Sequence, residues 1–163
     1  DIMGWSDFLE RRSDEKAVSI AIAASKVRQT LADKCNAANV PLMEARAASV
    51  VQMDDVVIGE GACLSPFVTL TSNIRIGRCF HGNLYSYVEH DCVIGDFVTL
   101  APGAKVNGNV TIGDHAYIGS GAIIRQGLNI GAGAFVGMGA VITHDVPPGV
   151  TVVGNPAKPL IKD

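Results

Sequence analysis

The chain has 163 residues, a formal net charge of -3 and a composition that is 48% hydrophobic but only 6% aromatic. A chain without a basic cluster is a poor candidate for binding nucleic acid. The longest apolar stretch, residues 17–24, is too short to cross a bilayer and no signal-like segment opens the chain, so we expect a cytoplasmic protein.

Residues 1–44 form the first predicted unit, a small and incomplete α/β segment. Trp5–Arg12 is a short amphipathic stretch that predicts a helix, and Ala17–Ala23 predicts a buried strand. Ser25–Asn39 predicts a second helix, after which Val40–Met43 returns to extended chain. Strand, helix and strand in this order are a fragment of an α/β layer.

The second predicted helix has a start signal and an apolar face. Ser25 is a residue type that caps helix N-termini well. Val27, Leu31 and Cys35 follow at i, i+4 and i+8, which predicts that they face the core.

From residue 58 onward the chain repeats every six residues. The first position of each hexad is aliphatic, with Gly82 as the single exception. A period of six fits one short strand plus one corner, and fits neither a helix nor a hairpin. The repeat therefore predicts a solenoid, which we assign to residues 45–163. The aliphatic positions are Ile58, Leu64, Leu70, Ile76, Val88, Ile94, Leu100, Val106, Ile112, Ile118, Ile124, Ile130, Val136 and Ile142.

Three hexads close one triangular coil, so that residues eighteen apart stack about 4.8 Å from each other. The aliphatic side chain fills the interior, which we expect to be too narrow for large rings, and a small residue at the fifth position fits the corner. Glycine often follows the aliphatic residue, and we expect it there for backbone angles that other residues avoid. These small residues and glycines include Ala62, Cys92, Ala104, Ala116, Ala134, Gly59, Gly77, Gly95, Gly113, Gly119 and Gly131.

The predicted solenoid stops at Asp145–Gly149, where two prolines interrupt the pattern. Val150–Lys158 is then expected to close the end. A closed end is needed because an open sheet edge invites pairing with another chain.

One hexad, Val88–Val93, differs from the others in its outward positions. Most outward residues of the repeat are Gly, Asp, Ser or Asn, but here His90 and Asp91 follow Glu89. A neutral imidazole can take a proton from a nucleophile, and a neighbouring carboxylate fixes its tautomer. A solvated histidine often has no function, so spacing alone leaves both interpretations of His90 open. The other histidines, His81, His115 and His144, rank below it.

Four stretches carry a more specific pattern: Asn83–Gly95 (N-L-Y-S-Y-V-E-H-D-C-V-I-G), Ala101–Gly113, Val136–Thr143 and Val153–Lys158 (V-G-N-P-A-K). This pattern resembles the hexapeptide-repeat acyltransferases, which include sialic-acid O-acetyltransferases and UDP-4-amino-sugar N-acetyltransferases. The resemblance implies a left-handed parallel β-helix, a homotrimer with clefts between neighbouring solenoids, and acetyl-CoA as the acyl donor. Residues 1–44 also look like the middle and end of that family's N-terminal nucleotide-sugar domain.

The resemblance also implies roles for single residues. His90 matches the general base that deprotonates the attacking amine or hydroxyl, and Asp91 matches the acid that orients it. No nucleophilic cysteine is then needed, and Cys92 is interpreted as core. Residues that match donor-binding positions of the family are Asn83, Gly108, Ser120 and Gly137, of which Gly108 also stacks one coil above His90. Lys158 could reach a CoA phosphate, and a solvated lysine without a ligand is the alternative.

Two features depart from the family pattern. Some members have a second histidine nine residues after the base, whereas this chain has Thr99, which can still donate a hydrogen bond to the donor. The family's acceptor nucleotide is held by a loop containing Gly and His after the first N-terminal strand, and residues 1–44 contain no such loop. A truncated relative without acceptor activity is therefore one alternative.

The function that we predict is acetyl transfer from acetyl-CoA to the amine of an amino sugar, which we expect to be nucleotide-linked. Acetylation of sialic acid or another sugar hydroxyl is an alternative. A γ-class carbonic anhydrase needs three histidines on zinc, but no histidine pair has the expected close spacing and the four cysteines form no C-x-x-C, so we expect no metal. An ice-binding scaffold would show threonine ladders at eighteen-residue steps. The threonines that form none are Thr69, Thr99, Thr111 and Thr143.

Overall fold

The computed structural model of the chain describes residues 2–11 and 16–161. Two helices come first, α1 (Trp5–Glu10) and α2 (Ser25–Ala37). From Ala45 onward the chain winds into a left-handed parallel β-helix, which confirms the predicted fold. Its strands are β1 (Ala45–Arg46), β2 (Val51–Gln52), β3 (Val56–Ile58), β4 (Cys63–Leu64), β5 (Thr69–Leu70), β6 (Ile74–Ile76), β7 (His81–Gly82), β8 (Tyr87–Val88), β9 (Val93–Ile94), β10 (Thr99–Leu100), β11 (Lys105–Val106), β12 (Thr111–Ile112), β13 (Tyr117–Ile118), β14 (Ile123–Ile124), β15 (Asn129–Ile130), β16 (Phe135–Val136), β17 (Val141–Ile142), β18 (Thr151–Val153) and β19 (Lys158–Pro159).

The strands form three sheets because each successive strand moves to the next face of the triangle. The first sheet has the order β1-β4-β7-β10-β13-β16-β18-β19, the second β17-β14-β11-β8-β5-β2 and the third β15-β12-β9-β6-β3. Neighbouring strands within the repeat pair in parallel with an offset of eighteen residues, as Thr99 does with His81 and Tyr117. From β1 to β17, a residue of the solenoid therefore lies directly beside the residues eighteen positions before and after it.

The interior is filled as the repeat predicts, with one exception. Ile94 and Ala104 represent the first and fifth hexad positions, and both are buried. At Gly82, where an aliphatic side chain is missing, the ring of Phe80 lies only 3.1 Å from the place a Cβ would occupy. Phe80 is fully buried in the core. The expectation that large rings are excluded is therefore wrong at this coil, because the glycine leaves room for the ring.

The glycines that follow the aliphatic positions have a different cause from the predicted one. A Cβ added at Gly59 or Gly119 would lie 2.6 Å from a backbone nitrogen of the next coil. Left-handed backbone occurs instead at the fourth hexad position, for example at Gly121 with φ of 66°. The glycines that follow the aliphatic positions are thus required by the close approach of stacked coils. Only the glycines at the fourth hexad position are required by backbone angles.

The two helices are shorter than predicted. Helix α1 ends at Glu10, and Arg12, the predicted end, lies outside the described residues. Helix α2 ends at Ala37, and its N-cap is Ala24 without a side-chain hydrogen bond, so the prediction of Ser25 as N-cap is wrong. Its buried residues are Arg28, Ala32 and Cys35, whereas Val27 is 49% exposed. The inward face is rotated from the predicted one because the Arg28 side chain lies against the solenoid.

Ala17–Ala23 is not a strand. Val18 forms a single parallel bridge with Leu42, and Ile20 is buried, but Ala21 and the residues after it are exposed. The carbonyl oxygens of Ile20, Ile22 and Ala23 accept hydrogen bonds from side chains instead of from a neighbouring strand. The predicted strand-helix-strand fragment is therefore reduced to one bridge around α2.

The C-terminal end of the solenoid departs from the eighteen-residue spacing. Val146 bridges Ile130 and β18 pairs with β16, both at an offset of sixteen residues, so the first sheet continues past the prolines. Strand β19 then turns back antiparallel to β18, which closes this edge. Within residues 2–11 and 16–161, neither helix is long and apolar enough to span a membrane.

Candidate active site

The His90 corner lies between β8 and β9. The burial of the residues that flank it shows which side chains point outward. Val88 and Cys92 are fully buried, which confirms that Cys92 belongs to the core. The three residues between them, Glu89, His90 and Asp91, must then form the corner. Asp91 adopts a left-handed conformation with φ of 61°, and this turns the chain into the next face.

His90 and Asp91 form a hydrogen-bonded pair on the surface. Nδ1 of His90 lies 2.8 Å from Oδ2 of Asp91, and the two side chains are 62% and 51% exposed. Because an ionised carboxylate can only accept, we assign the proton of the neutral ring to Nδ1, which leaves Nε2 as a free acceptor. The pair is thus arranged as a base with an orienting carboxylate.

Asn73, one coil before Asp91, completes this arrangement. Its side-chain amide donates to Oδ1 of Asp91, the oxygen that does not contact His90. The hydrogen bond from Asn73 and then that from His90 lower the pKa of Asp91. Sequence reasoning missed Asn73, although a step of eighteen residues back from Asp91 leads directly to it.

Gly108 lies against the imidazole, as the stacking of coils predicts. A Cβ added there would lie 2.6 Å from Cε1 and 2.7 Å from Nε2 of His90. The backbone N–H of Gly108 donates to Oε2 of Glu89 at 3.0 Å, and that of Asn109 donates to the carbonyl of His90 at 2.8 Å. The coil above therefore supports both the ring and the backbone of His90.

The other predicted donor residues lie on a different corner, the one after the first sheet. Asn83 uses its amide to donate to the carbonyl of Leu100 at 2.9 Å, and Ser120 is exposed. Gly137 is buried, and a Cβ there would lie 2.7 Å from Cγ1 of Val153. Lys158 is exposed in β19 at the C-terminal end of the same sheet. A single chain does not bring this group together with His90.

Thr99 lies in β10 beneath α2. It is 1% exposed, and its hydroxyl accepts a hydrogen bond from Nη2 of Arg28 at 3.0 Å and lies 3.3 Å from the carbonyl of Ala23. Its hydrogen-bonding capacity is therefore used within the chain. A donor contact at Thr99 or at the buried Gly137 remains a prediction that the single chain does not display.

Several features bear on what else the surface could bind. The described residues contain no group of three His, Cys, Asp or Glu side chains that could hold a metal ion. The cavity of about 470 Å³ around Trp5 and Cys35 belongs to the N-terminal segment and includes no residue of the His90 corner. On the corner after the first sheet, a Cβ at Gly121 or Gly139 would meet no atom within 4 Å. The same holds at Gly127 and Gly133 on the other two corners, so open space alone does not mark one corner as a binding site.

Comparison with known proteins agrees with this architecture. Residues 91–126 match the family model described as bacterial transferase hexapeptide (six repeats), and residues 109–144 match the hexapeptide repeat of succinyl-transferase. A GDP-perosamine N-acetyltransferase of Escherichia coli O157:H7 is 49% identical over 110 residues, which are 68% of this chain and 50% of that protein. The chain thus spans about half the length of this curated relative.

Solved structures extend the likeness to nearly the whole chain. WeeI from Acinetobacter baumannii AYE is 55% identical with a TM-score of 0.95, and the match covers 98% of this chain and 77% of WeeI. PerB from Caulobacter crescentus, solved in complex with CoA and GDP-perosamine, is 32% identical with a TM-score of 0.88 over 90% of this chain and 70% of PerB. The chain therefore belongs to the hexapeptide-repeat transferase family.

Proposed function

We propose that this chain is the catalytic part of an acetyl-CoA-dependent sugar N-acetyltransferase that acts on the amine of a nucleotide-linked amino sugar. The observation that carries the proposal is the exposed His90–Asp91 pair, in which the carboxylate holds Nδ1 at 2.8 Å and leaves Nε2 free. The relatives named above as GDP-perosamine N-acetyltransferase and as a CoA and GDP-perosamine complex support this choice of substrates.

The residues of the chain would act by direct transfer. Acetyl-CoA supplies the thioester carbonyl that the acceptor nitrogen attacks. As the N–C bond forms, Nε2 of His90 accepts the proton of that nitrogen, Asp91 favours the resulting imidazolium, and Gly108 lies against the ring. The C–S bond of the thioester then breaks, and the imidazolium gives its proton to the departing CoA thiolate, which leaves as the free thiol. Gly108, which lies against the imidazole of His90, would contact the acetyl group, whereas Ser120 and Lys158 would contact the CoA chain from the other corner.

A homotrimer is part of the proposal. The His90 corner and the corner carrying Ser120 belong to different edges of one solenoid. Clefts between neighbouring solenoids would bring one corner of each chain together, as the family resemblance implies. The compartment that we propose is the cytoplasm, where CoA thioesters and nucleotide sugars are available.

The test is release of CoA thiol from acetyl-CoA with GDP-perosamine, UDP- and dTDP-linked 4-amino sugars and sialic acid as acceptors. We expect turnover with an amino sugar, an N-acetyl product by mass spectrometry, and a loss of about 10²- to 10⁴-fold in His90→Ala. Acetyl-CoA binding by calorimetry should persist in the variant, which controls for folding. Turnover only with sialic acid would favour the O-acetyltransferase alternative, and full activity of His90→Ala would refute the assignment of the base.

A further inference from the structure

The His90 corner is bonded to the coils on both of its sides. On the earlier side, Asp91 accepts the side-chain amide of Asn73, which lies eighteen residues before it. On the later side, Oε2 of Glu89 accepts the backbone N–H of Gly108 at 3.0 Å. The residues that flank His90 in the chain therefore join its corner to two neighbouring coils. The contact of Glu89 has no part in the direct transfer described above.

The N–H of Gly108 has no other partner in the described part of the chain. Gly108 stands at the third position of its hexad, and no N–H at this position donates to a backbone carbonyl among the described residues. Two other third-position N–H groups are also bonded to a carboxylate, that of Arg78 to Asp96 and that of Asp96 to Asp114. Gly108 is buried, and a buried N–H without a partner is rare in folded proteins. The carboxylate of Glu89 is thus what satisfies this group.

Gly108 also forms the wall beside the nitrogen that is free to accept a proton. A Cβ added to Gly108 would lie 2.6 Å from Cε1 and 2.7 Å from Nε2 of His90, so its Cα faces that edge of the ring. Because the N–H and the Cα of one residue are covalently joined, a carboxylate that fixes the N–H also fixes this wall. Without the carboxylate, Gly108 could move away from the ring, and water that solvates its N–H would approach Nε2.

We propose that Glu89 is a positioning residue for His90, which acts by holding the N–H of Gly108 so that Gly108 stays against the Nε2 edge of the imidazole. The inference rests on the proposed function, in which Nε2 is the base. Asp91 fixes the ring through Nδ1, and Glu89 fixes the other edge through the next coil. Misplacing a reacting group by about 1 Å costs about 10²-fold in rate, so a support on each side of the ring matters for catalysis. Glu89 contacts neither substrate in this assignment.

Two substitutions separate the hydrogen bond of Glu89 from its charge. Glu89→Gln is neutral but keeps an oxygen that can accept the N–H of Gly108. Glu89→Asp keeps the charge on a side chain that is one methylene too short to reach this N–H. With acetyl-CoA and GDP-perosamine, we expect kcat to fall about tenfold in Glu89→Asp and less than about threefold in Glu89→Gln, while both KM values stay unchanged.

The matched control is Asp114→Ala, which removes the same kind of bond at another corner. Oδ1 of Asp114 accepts the N–H of Asp96 at 2.8 Å, away from the base, so kcat should stay at the wild-type value. Full activity of Glu89→Asp would overturn the proposal. A larger loss of kcat in Glu89→Gln than in Glu89→Asp would also overturn it, because the charge and not the hydrogen bond would then matter.

A nuclear Overhauser effect tests the contact without turnover. In protein labelled with ¹³C in histidine and glycine, the wild type should show this effect between Hε1 of His90 and the Hα atoms of Gly108. The signal should persist in Glu89→Gln and weaken in Glu89→Asp, and equal signals in the two variants would contradict the role of the hydrogen bond. Absence of acetylated product in the wild type together with the expected signals would overturn the proposed function and leave the positioning of His90 by Glu89 standing.

Discussion

His90 and His81 lie on the same solenoid, yet their surroundings are opposite. His90 stands on an outer corner, is 62% exposed on its side chain and shares a hydrogen bond with a carboxylate. His81 lies in the first sheet, is 6% exposed, and its Nε2 is 2.8 Å from the carbonyl of Ile20. Burial and then the charge of Arg28 lower the pKa of His81 to about 4.

Because of this difference in exposure, His90 can exchange protons with a ligand, whereas His81 holds two parts of the chain together. A base needs an accessible nitrogen and a partner that favours its cation. His81 has neither, and together with Arg28 it fastens the N-terminal segment to the first sheet. In the proposed function, the same residue type thus serves chemistry at the corner, while on the flat face it holds the N-terminal segment against the first sheet.

The largest expected effect comes from Gly108→Ala, which should disturb the His90 corner. It should leave unchanged the docking face, by which we mean the part of the first sheet that Arg28 and His81 join to the N-terminal segment. A Cβ 2.6 Å from the imidazole must displace it. A base moved by about 1 Å loses about 10²-fold in kcat/KM. The measurement is CoA release, with thermal unfolding as a check of the fold. Gly149→Ala is the control, because a Cβ there meets nothing within 4 Å, although the φ of 70° costs an alanine about 1–2 kcal/mol of stability. Equal losses of kcat/KM in the two variants would contradict the prediction.

Arg28→Lys should have the complementary effect on the docking face. The guanidinium is fully buried and donates to the carbonyls of Cys79 at 2.8 Å and Ile22 at 2.7 Å, among others. Lysine cannot satisfy these acceptors together, so we expect a loss of about 2–4 kcal/mol in the free energy of unfolding.

Trp5, the only tryptophan, lies in the N-terminal segment and reports this loss by fluorescence during denaturation with urea. The control is Arg75→Lys, since Arg75 forms an exposed ion pair with Asp55 and should change stability by less than about 1 kcal/mol. Equal stability of Arg28→Lys and the wild type would show that the buried guanidinium does not hold the segment.

The lowered pKa of His81 predicts a pH dependence of the stability of the chain. Its pKa is about 4 in the folded chain, so below the ordinary value near 6.5 the unfolded chain binds more protons than the folded one. The stabilisation is complete above about pH 6.5 and falls as the pH drops towards 4, by about 2 kcal/mol between pH 6.5 and 5. Comparing urea unfolding of the wild type and His81→Gln at pH 7 and 5 measures this, because glutamine does not titrate. Parallel losses in both proteins would contradict it.

The two regions also differ in how far sequence alone predicts them. The hexad pattern places Ile94 in the interior and Gly108 beside His90, because a fixed period converts sequence distance into spatial distance. The same offset of eighteen residues places Asn73 beside Asp91. A periodic region is therefore predictable in its site as well as in its fold.

No fixed period of this kind predicts the contacts of the docking face. Arg28 contacts the carbonyl of Phe97 and the hydroxyl of Thr99, about seventy residues away in an unrelated segment. Apolar periodicity predicted that Val27 faces inward, but the hydrogen bonds of Arg28 rotate α2 away from that arrangement. Thr99 was accordingly matched to the acyl donor by family spacing, while its hydroxyl serves the docking of α2. Polar contacts between aperiodic segments leave no pattern in either of them.

The smallest expected effect is that of Asn73→Gly, which tests whether the corner depends on its neighbouring coil. Asn73 has a φ of 56°, which glycine tolerates, so the substitution removes only the amide that donates to Asp91. The pKa of Asp91 should then rise towards its ordinary value, and the carboxylate should orient His90 less firmly.

We expect kcat to fall between about threefold and about tenfold, less than the 10²- to 10⁴-fold that a general base contributes, throughout a profile from pH 5 to 8 in which Asp91 stays ionised. Both KM values should stay constant, since Asn73 contacts neither substrate in this assignment. Asn39→Gly, at another left-handed position with φ of 52° outside the solenoid, should leave the profile unchanged. If Asn73→Gly also leaves it unchanged, the His90–Asp91 pair is held by its own corner alone.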